Sequence, residues 1–469
     1  MSHLVIASYR DIRGRGEPRT FGQDHGLRLS VPGSNESPGM SGVLLVCDNR
    51  DVPNWGCRAT SIALDAMLDA RWGVTARIGR KEVLHKESRF SSFSRNAGAM
   101  KRNPITAAFH ASLVHRSDYV TGDISACAEL VLKQSGRNAF FASLVERIQQ
   151  ADMVVVNGEG SMIFKPVERR DLRFQLLCLE LGRRLAKPTF YVNAMISDYP
   201  GAPRPHATWM KCKAQLSACQ GVQVRDLKSL ELLETMDLAT RTLALPDALF
   251  SLAGSRFIGG EHPADLPNHM LAPFPENPER LEWMFGQPYI CVSGSSYFRS
   301  QAGFAETRPF FLGLAETIRR HGRKPVFVAT CTGDKFLEPL AREAGALFVP
   351  VETNVFIGAA ILGSADAFIS GRYHPTILAT LGGTPCVALE SNSHKMASLQ
   401  LWLDRKASEL RYRDHSVLEK IEQQLDAILA QGNALRDALK TKAGDLGRLA
   451  KNLPDWIGAA LPADAVTSE

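Results

Sequence analysis

Short apolar runs alternate with segments of helical period along most of this chain, and nearly every run ends in a small or polar turn. Runs of about four to eight apolar residues suit strands buried on both faces, whereas apolar positions three and four apart suit amphipathic helices. Residues 42–47 predict a first strand and 74–78 a second. Between them, 59–70 predict a helix with Ile62, Ala66 and either Leu68 or Met67 on one face and Gly73 as its stop. From residue 140 the rhythm is regular: helices at 140–149, 172–185, 209–218 and 229–236 alternate with strands at 153–156, 189–192, 222–224 and 242–245. A second series places strands at 289–292, 325–329 and 346–349 and helices at 309–321, 336–344 and 356–362. This alternation predicts an α/β fold with parallel, doubly wound sheets.

The unit SADAFISGRYHPTILATLGGTPCVAL, 364–389, carries the strongest chemical pattern. A short strand at 367–369 is broken by Ser370-Gly371, a helix runs from Pro375 to the Gly382-Gly383 stop, and the next strand follows at 384–389. Proline suits a first helical turn, so Arg372, Tyr373 and His374 fall just ahead of free backbone N–H groups at the positive end of the helix dipole. Ligands of open parallel sheets bind at the carboxyl ends of strands, which predicts an anion site beside an acid or base. The plainer reading of the same residues pairs Arg372 with a carboxylate and hydrogen-bonds His374 in the core.

At 469 residues the chain exceeds one ordinary core. The expected organisation is a tail at 1–41, a Rossmann-like domain at 42–254, a linker rich in Pro, Gly, Asn and His at 255–287, a second Rossmann-like domain at 288–415, and C-terminal helices at 416–469. Two such domains leave a cleft between them. The stretch 80–137 is basic and irregular and reads as an insertion that covers or contacts the ligand site. The amphipathic segment 417–453 is expected to pack back across the domain seam.

Charge changes this picture little. The balance of 55 Lys and Arg against 49 Asp and Glu gives +6, scattered instead of blocked, so nucleic acid is not implied. Small anionic substrates or peripheral contact with an anionic membrane surface both fit. Nine single cysteines without a CxxC pair suit a reducing cytoplasm. No signal peptide or membrane span is read from the sequence, so a cytoplasmic protein, in solution or at the inner face of the membrane, is expected. The sequence has no HExxH, no paired His and Cys spacing and no Asp-rich loop, so neither a metal nor a cofactor is expected.

Other candidate residues cluster at predicted strand ends. Asn54-Trp55-Gly56-Cys57-Arg58 forms the first strand-to-helix turn, where Asn54 can contact a ligand or cap the helix. In Asn157-Gly158-Glu159-Gly160-Ser161, Gly158 and Gly160 permit a tight turn with exposed N–H groups, and Glu159 can orient a hydroxyl or act as a base. Arg225 tips one strand and offers a planar fork to phosphate or carboxylate, and Asp247 ends another. Ser293 and Ser295 lie in a small hydroxyl-rich loop, as does the segment 329–334. Lys395 follows the Arg372 unit at a distance that permits return to the same cleft. Each of these also has an ordinary structural reading as a turn, a cap or a surface charge.

Taken in order, NWGCRATSIAL, VVVNGEGSM, VQVRDLKSLELL, LPDALF and ISGRYHPTILATLGGTPCVAL with Lys395 resemble the polysaccharide pyruvyl transferase family, over about residues 43–405. The resemblance implies two Rossmann-like domains arranged as in GT-B glycosyltransferases, with an acceptor side in the first and a donor side in the second. It implies transfer of a pyruvyl group from phosphoenolpyruvate to a saccharide as a ketal, in exopolysaccharide or cell-surface glycan biosynthesis, with an acceptor that is free or lipid-linked. The family's Arg-x-His signature falls on Arg372 and His374, its strand-end Arg on Arg225, its Gly-rich turn on Gly158 and Gly160, and its following Lys on Lys395. Cys57 stands where many members carry an acidic residue, and Met162-Ile163-Phe164 where His is frequent. Two other functions fit the same fold: a GT-B glycosyltransferase using a nucleotide sugar, and a catalytically silent carbohydrate-binding protein.

Overall fold

Strands form where the apolar runs stand, because their residues are buried on both faces. The computed structural model describes residues 42–86, 118–255, 287–297 and 301–461, with the backbone alone at 301–305. The expected tail, nearly all of the expected linker, and the middle of the 80–137 insertion lie outside the described residues.

The first sheet contains β1 (Val43–Asp48), β2 (Val74–Gly79), β3 (Met153–Phe164), β4 (Thr189–Asp198), β5 (Gly221–Val224) and β6 (Arg241–Ala244). All pairings are parallel and the order is β2-β1-β3-β4-β5-β6. Helices α1 (Trp55–Trp72), α2 (Arg80–Leu84), α3 (Ile124–Gln134), α4 (Ala139–Gln150), α5 (Arg170–Arg184), α6 (His206–Ser217) and α7 (Leu227–Met236) connect the strands, and a 3-10 turn at Ala248–Leu252 follows β6. The second sheet contains β7 (Tyr289–Ser295), β8 (Lys324–Val328), β9 (Leu347–Val349), β10 (Ala367–Gly371) and β11 (Cys386–Ala388), again parallel, in the order β11-β10-β7-β8-β9. Its helices are α8 (Gln301–Arg320), α9 (Leu337–Glu343), α10 (Val355–Ser364), α11 (Tyr373–Leu381) and α12 (Lys395–Trp402). Each sheet has its own apolar core, the first including Leu44, Val154 and Leu177, the second Ile290, Phe311 and Ile369.

Both sheets reverse their strand order once, at β1/β3 and at β7/β10. Connections leave in opposite directions there, which opens a crevice outside the carboxyl ends of the strands. The two crevices form the same cleft: Asn49 and Glu159 line it from the first, Ser296 and Arg372 from the second.

The structure corrects some expected boundaries. β3 continues to Phe164 and β4 to Asp198, so the Gly-rich segment lies within a strand instead of forming a strand-to-helix turn. The β3–β4 pairing shifts register between Glu159 and Met162, with Glu159 in the left-handed region at φ 36°. A Cβ on Gly158 would stand 2.6 Å from the Ala194 Cβ, so this glycine serves close approach of the two strands. α1 begins at Trp55 and α11 at Tyr373, earlier than the apolar spacing indicates. In α11, His374 therefore belongs to the first helical turn. The described ends of the 80–137 insertion form α2 and α3, and Arg170 of α5 ties α2 down by donating to the Val83 carbonyl at 3.0 Å.

The two sheets meet along a dense seam. Trp55, fully buried, donates from Nε1 to the Val351 carbonyl at 3.0 Å, and its ring covers Gly358 so closely that a Cβ there would lie 2.5 Å away. Asn54 and Cys331 form an antiparallel bridge, with Trp55 N donating to Thr330 O at 2.9 Å. Helix α13 (Val417–Ala450) buries Val417, Ile421, Leu425 and Ile428 in the second core, and kinks at Gly432. Its later half buries Leu439, Ala443 and Leu446. Gly447 then lies against the 3-10 turn, where a Cβ would come within 2.6 Å of Phe250 O. α14 (Leu453–Gly458) sets Trp456 edge-on to Phe190 of β4, with ring centroids 6.4 Å apart. Among the described residues no helix is long and apolar enough to cross a membrane.

Candidate active site in the cleft between the sheets

The cleft holds about 270 Å³. It is built from residues immediately beyond strand ends, where the backbone leaves the ladder and side chains from successive strands converge. Arg225 follows β5, Asp247 follows β6, Arg372 follows β10, and His374 sits in the first turn of α11.

Arg225, Asp247 and His374 form one cluster that spans the seam. Arg225 Nη1 donates to Asp247 Oδ2 at 3.0 Å and lies 2.7 Å from His374 Nε2, which is itself 3.2 Å from Asp247 Oδ2. Arginine has only donors, so in the neutral ring Nε2 accepts from Arg225 and the ring proton resides on Nδ1. Asp247 is fully buried, and its Oδ1 accepts from Thr60 Oγ1 at 2.6 Å and Leu249 N at 2.9 Å. Burial alone would raise its carboxyl pKa, but His374, Arg225 and the Thr60 hydrogen bond outweigh that and hold it well below the usual carboxylate range. The Arg225 guanidinium stacks over the Tyr373 ring at 4.6 Å, and its Nε is buried with no hydrogen-bond partner among the described residues.

Arg372 has its own buried counterion. Nη2 and Nε donate to Asp334 Oδ1 at 2.6 and 3.2 Å, while Asp334 Oδ2 accepts from Thr330 N and Oγ1 at 3.1 and 2.9 Å. A Cβ on Gly294 would come 2.2 Å from that same Oδ1, so this glycine makes room for the pair. Lys395 differs from both arginines. Its Nζ donates to Asn392 Oδ1 at 3.0 Å and makes no ion pair among the described residues. Burial, then the positive charges of Arg372 and Arg225, lower its pKa to about 7.

Glu159 faces the cleft from β3. Its Oε1 accepts from Asn49 Nδ2 at 2.7 Å and Asn157 Nδ2 at 3.4 Å. A chain of buried hydrogen bonds joins this carboxylate to Asp247: Asn157 Oδ1 accepts from Asn193 Nδ2 at 3.3 Å, which also donates to Thr60 Oγ1 at 3.0 Å. Such a satisfied network fixes the strand ends rigidly. Burial, and then the negative charge of Glu159, push the pKa of the Cys57 thiol well up.

Cys57, Glu159 and His374 place one potential ligand atom each within 4.8 Å of one another, the spacing of a metal site. Arg225 and Lys395 line the same cleft, and a divalent cation would meet their charges. The arrangement suits an anion.

The predicted residues fall into three groups. His374, Glu159, Gly160, Arg225, Arg372, Lys395 and Asn54 line the cleft. Asn54 acts there mainly as the cap of α1, its Oδ1 accepting from Gly56 N and Cys57 N at 3.0 and 3.2 Å. Asp247 lies behind the cleft and acts through His374 and Arg225. Ser293, Ser295 and Gly158 are not among the lining residues: Ser293 Oγ bonds Ser370 Oγ at 2.7 Å between strands, and Ser295 Oγ donates to Glu390 O, while Ser296 reaches the cleft instead. Sequence reasoning missed Asp334, Asn392 and Cys57. Asp334 carried a signal, since it ends the hydroxyl-rich loop after β8.

Two parallel Rossmann-like sheets with the site between their carboxyl ends define a GT-B-like protein. Solved structures of similar fold include a putative UDP-N-acetylglucosamine 2-epimerase from Listeria monocytogenes, at 13% identity and TM-score 0.52 over 92% of this chain and 98% of that one. Another is the UDP-GlcNAc 2-epimerase from Neisseria meningitidis, at 10% identity and TM-score 0.50 over 89% of this chain and 100% of that one. Residues 80–393 match the family model described as polysaccharide pyruvyl transferase, and the chain belongs to that family. No curated protein matches it by sequence.

Proposed function

We propose that this protein transfers a pyruvyl group from phosphoenolpyruvate to two hydroxyls of a saccharide, forming a ketal during exopolysaccharide or cell-surface glycan synthesis. The observation that carries this reading is the convergence of Arg225, Arg372 and Lys395 on one cleft, with Lys395 lacking a carboxylate partner among the described residues. Phosphoenolpyruvate brings both a phosphate and a carboxylate, and a planar guanidinium can engage either through two oxygens. Arg225 Nε, without a partner among the described residues, offers a further donor.

Protonation of the donor's methylene carbon makes C2 electrophilic. One saccharide hydroxyl attacks it, phosphate leaves with a proton, and a second hydroxyl closes the ketal. His374 moves protons in these steps, held in register by Asp247 and Arg225. Glu159, fixed by Asn49 and Asn157, orients a hydroxyl. Holding one donor against two neighbouring hydroxyls is a proximity task that a rigid cleft between two sheets performs well. A cytoplasmic protein that meets a lipid-linked acceptor at the inner membrane face fits this chemistry, as does one with a free saccharide.

The test is phosphate release from phosphoenolpyruvate with a panel of free and lipid-linked saccharides, with the sugar followed by mass spectrometry. Wild type should release phosphate only with a saccharide that gains a pyruvyl group, and Lys395→Met should weaken donor binding. Arg372→Ala should abolish turnover, although it strands the buried Asp334, which makes the lysine variant the cleaner probe. Binding of a nucleoside diphosphate with no reaction of phosphoenolpyruvate would replace this reading with nucleotide-sugar transfer.

A further inference from the structure

Cys47 and Cys57 both line the cleft, but only Cys57 is partly exposed there. It is the third residue of the capped helix α1, its N–H held by Asn54 Oδ1 at 3.2 Å, so its side chain leaves a fixed point of the backbone. The Sγ stands within 4.8 Å of both a Glu159 oxygen and a His374 nitrogen. Independently, the buried Arg225 Nε and the Lys395 ammonium, which have no hydrogen-bond partner and no carboxylate partner, respectively, among the described residues, mark the same cleft for an anion. Of the three clustered groups, His374 already uses Nε2 toward Arg225 and Asp247, and Glu159 accepts from Asn49 and Asn157. The His374 proton on Nδ1 lies against Gly56 of α1, which leaves the thiol as the group with a proton to give.

We propose that Cys57 is the acid that protonates the methylene carbon of the enolpyruvyl donor, with Glu159 as the relay that restores its proton. This rests on the pyruvyl-transfer reading above. In the first step the Sγ–H bond breaks and a C3–H bond forms with the π pair of C2=C3, leaving C2 electron-deficient. The first saccharide hydroxyl bonds to C2, and its proton passes through the Glu159 carboxylate back to Sγ. The C2–O bond to phosphate then breaks with its electron pair, the second hydroxyl oxygen bonds to C2 in its place, and its proton reaches phosphate by way of His374. Of the two hydroxyl protons, one thus ends in the new methyl group and one on phosphate, and no oxidant or reductant is needed. Burial and the neighbouring carboxylate keep the thiol protonated at neutral pH, as an acid must be before it acts.

The experiment compares wild type with Cys57→Ala, Cys57→Ser and Cys57→Asp, measuring phosphoenolpyruvate affinity by calorimetry, turnover by phosphate release, and the solvent deuterium isotope effect on kcat. Cys57→Ala and Cys57→Ser should bind the donor with wild-type affinity yet lose about 10²-fold or more in kcat. Cys57→Asp, which restores an ionisable acid, should recover much of that loss with a shifted pH profile. Normal kcat in Cys57→Ala overturns the proposal while leaving pyruvyl transfer intact, as does a Cys57→Asp variant that binds donor but is as slow as Cys57→Ala. A wild type that releases no phosphate with any acceptor overturns both readings.

Discussion

Lys395 carries the clearest pH signature of the cleft. Its pKa is lowered to about 7, so it is charged below that value and neutral above it. An anionic donor binds the charged form, so affinity for phosphoenolpyruvate should fall as pH rises through about 7 relative to Lys395→Arg, which stays charged. Calorimetric Kd values from about pH 6 to 9 for the two proteins check this, and parallel profiles would place the titration elsewhere. The same shift acts on stability with the opposite sense: the unfolded chain holds the Lys395 proton up to its ordinary pKa, so folding gains stability as pH rises through that window. A second residue-scale consequence concerns Gly56. A Cβ there would stand 2.4 Å from the His374 Cβ, although an alanine in a helix ordinarily adds about 1 kcal/mol of stability over glycine. Because the His374 Cβ is fixed to the backbone, Gly56→Ala should push α11 away from α1 and displace His374, losing stability as well as turnover, the latter toward that of His374→Ala, itself down about 10²-fold. Arg372 and His374 could be singled out from sequence because they adjoin a strand end and a helix start that local spacing reveals. Asp334 could not be paired with Arg372 in that way, since 38 residues separate them and only the sheet order brings them together.

At the scale of elements, the alternation of apolar runs revealed nearly every strand, because strands buried on both faces must be continuously apolar. The ends of β3 and β4 escaped that logic. Their later residues, Asn157, Glu159 and Asn193 among them, are polar yet buried, satisfied by a network of side chains that periodicity does not register. The glycines beside Glu159 read as turn punctuation, whereas Gly158 admits the neighbouring strand. Helix starts were hidden for a related reason: α1 begins with Trp55, whose ring packs across the seam against Gly358.

At the scale of the whole molecule, the seam decides mechanical behaviour. The Arg225–His374 contact, the Asp226–His394 pair at 3.0 Å, and the Trp402 Nε1 bond to Arg225 O at 3.0 Å all join one sheet to the other. With Trp55 at the centre, the two sheets should unfold together, as one calorimetric transition. Trp55→Ala should cost about 3–5 kcal/mol, read from denaturant melts, and should split the transition if this ring is what couples the sheets. A single transition with little loss of stability would assign the coupling to the polar contacts instead.

The path of α13 sets an order of events. Its first half completes the second core, and its second half, with α14, returns to cover β4 and β5 of the first sheet, where Trp456 closes over Gly221. The first sheet, whose last strand ends at Ala244, therefore waits for Leu453–Gly458 to leave the ribosome. A chain growing at about 5–20 residues per second leaves that sheet without its final cover for many seconds, long enough to need a chaperone's shelter.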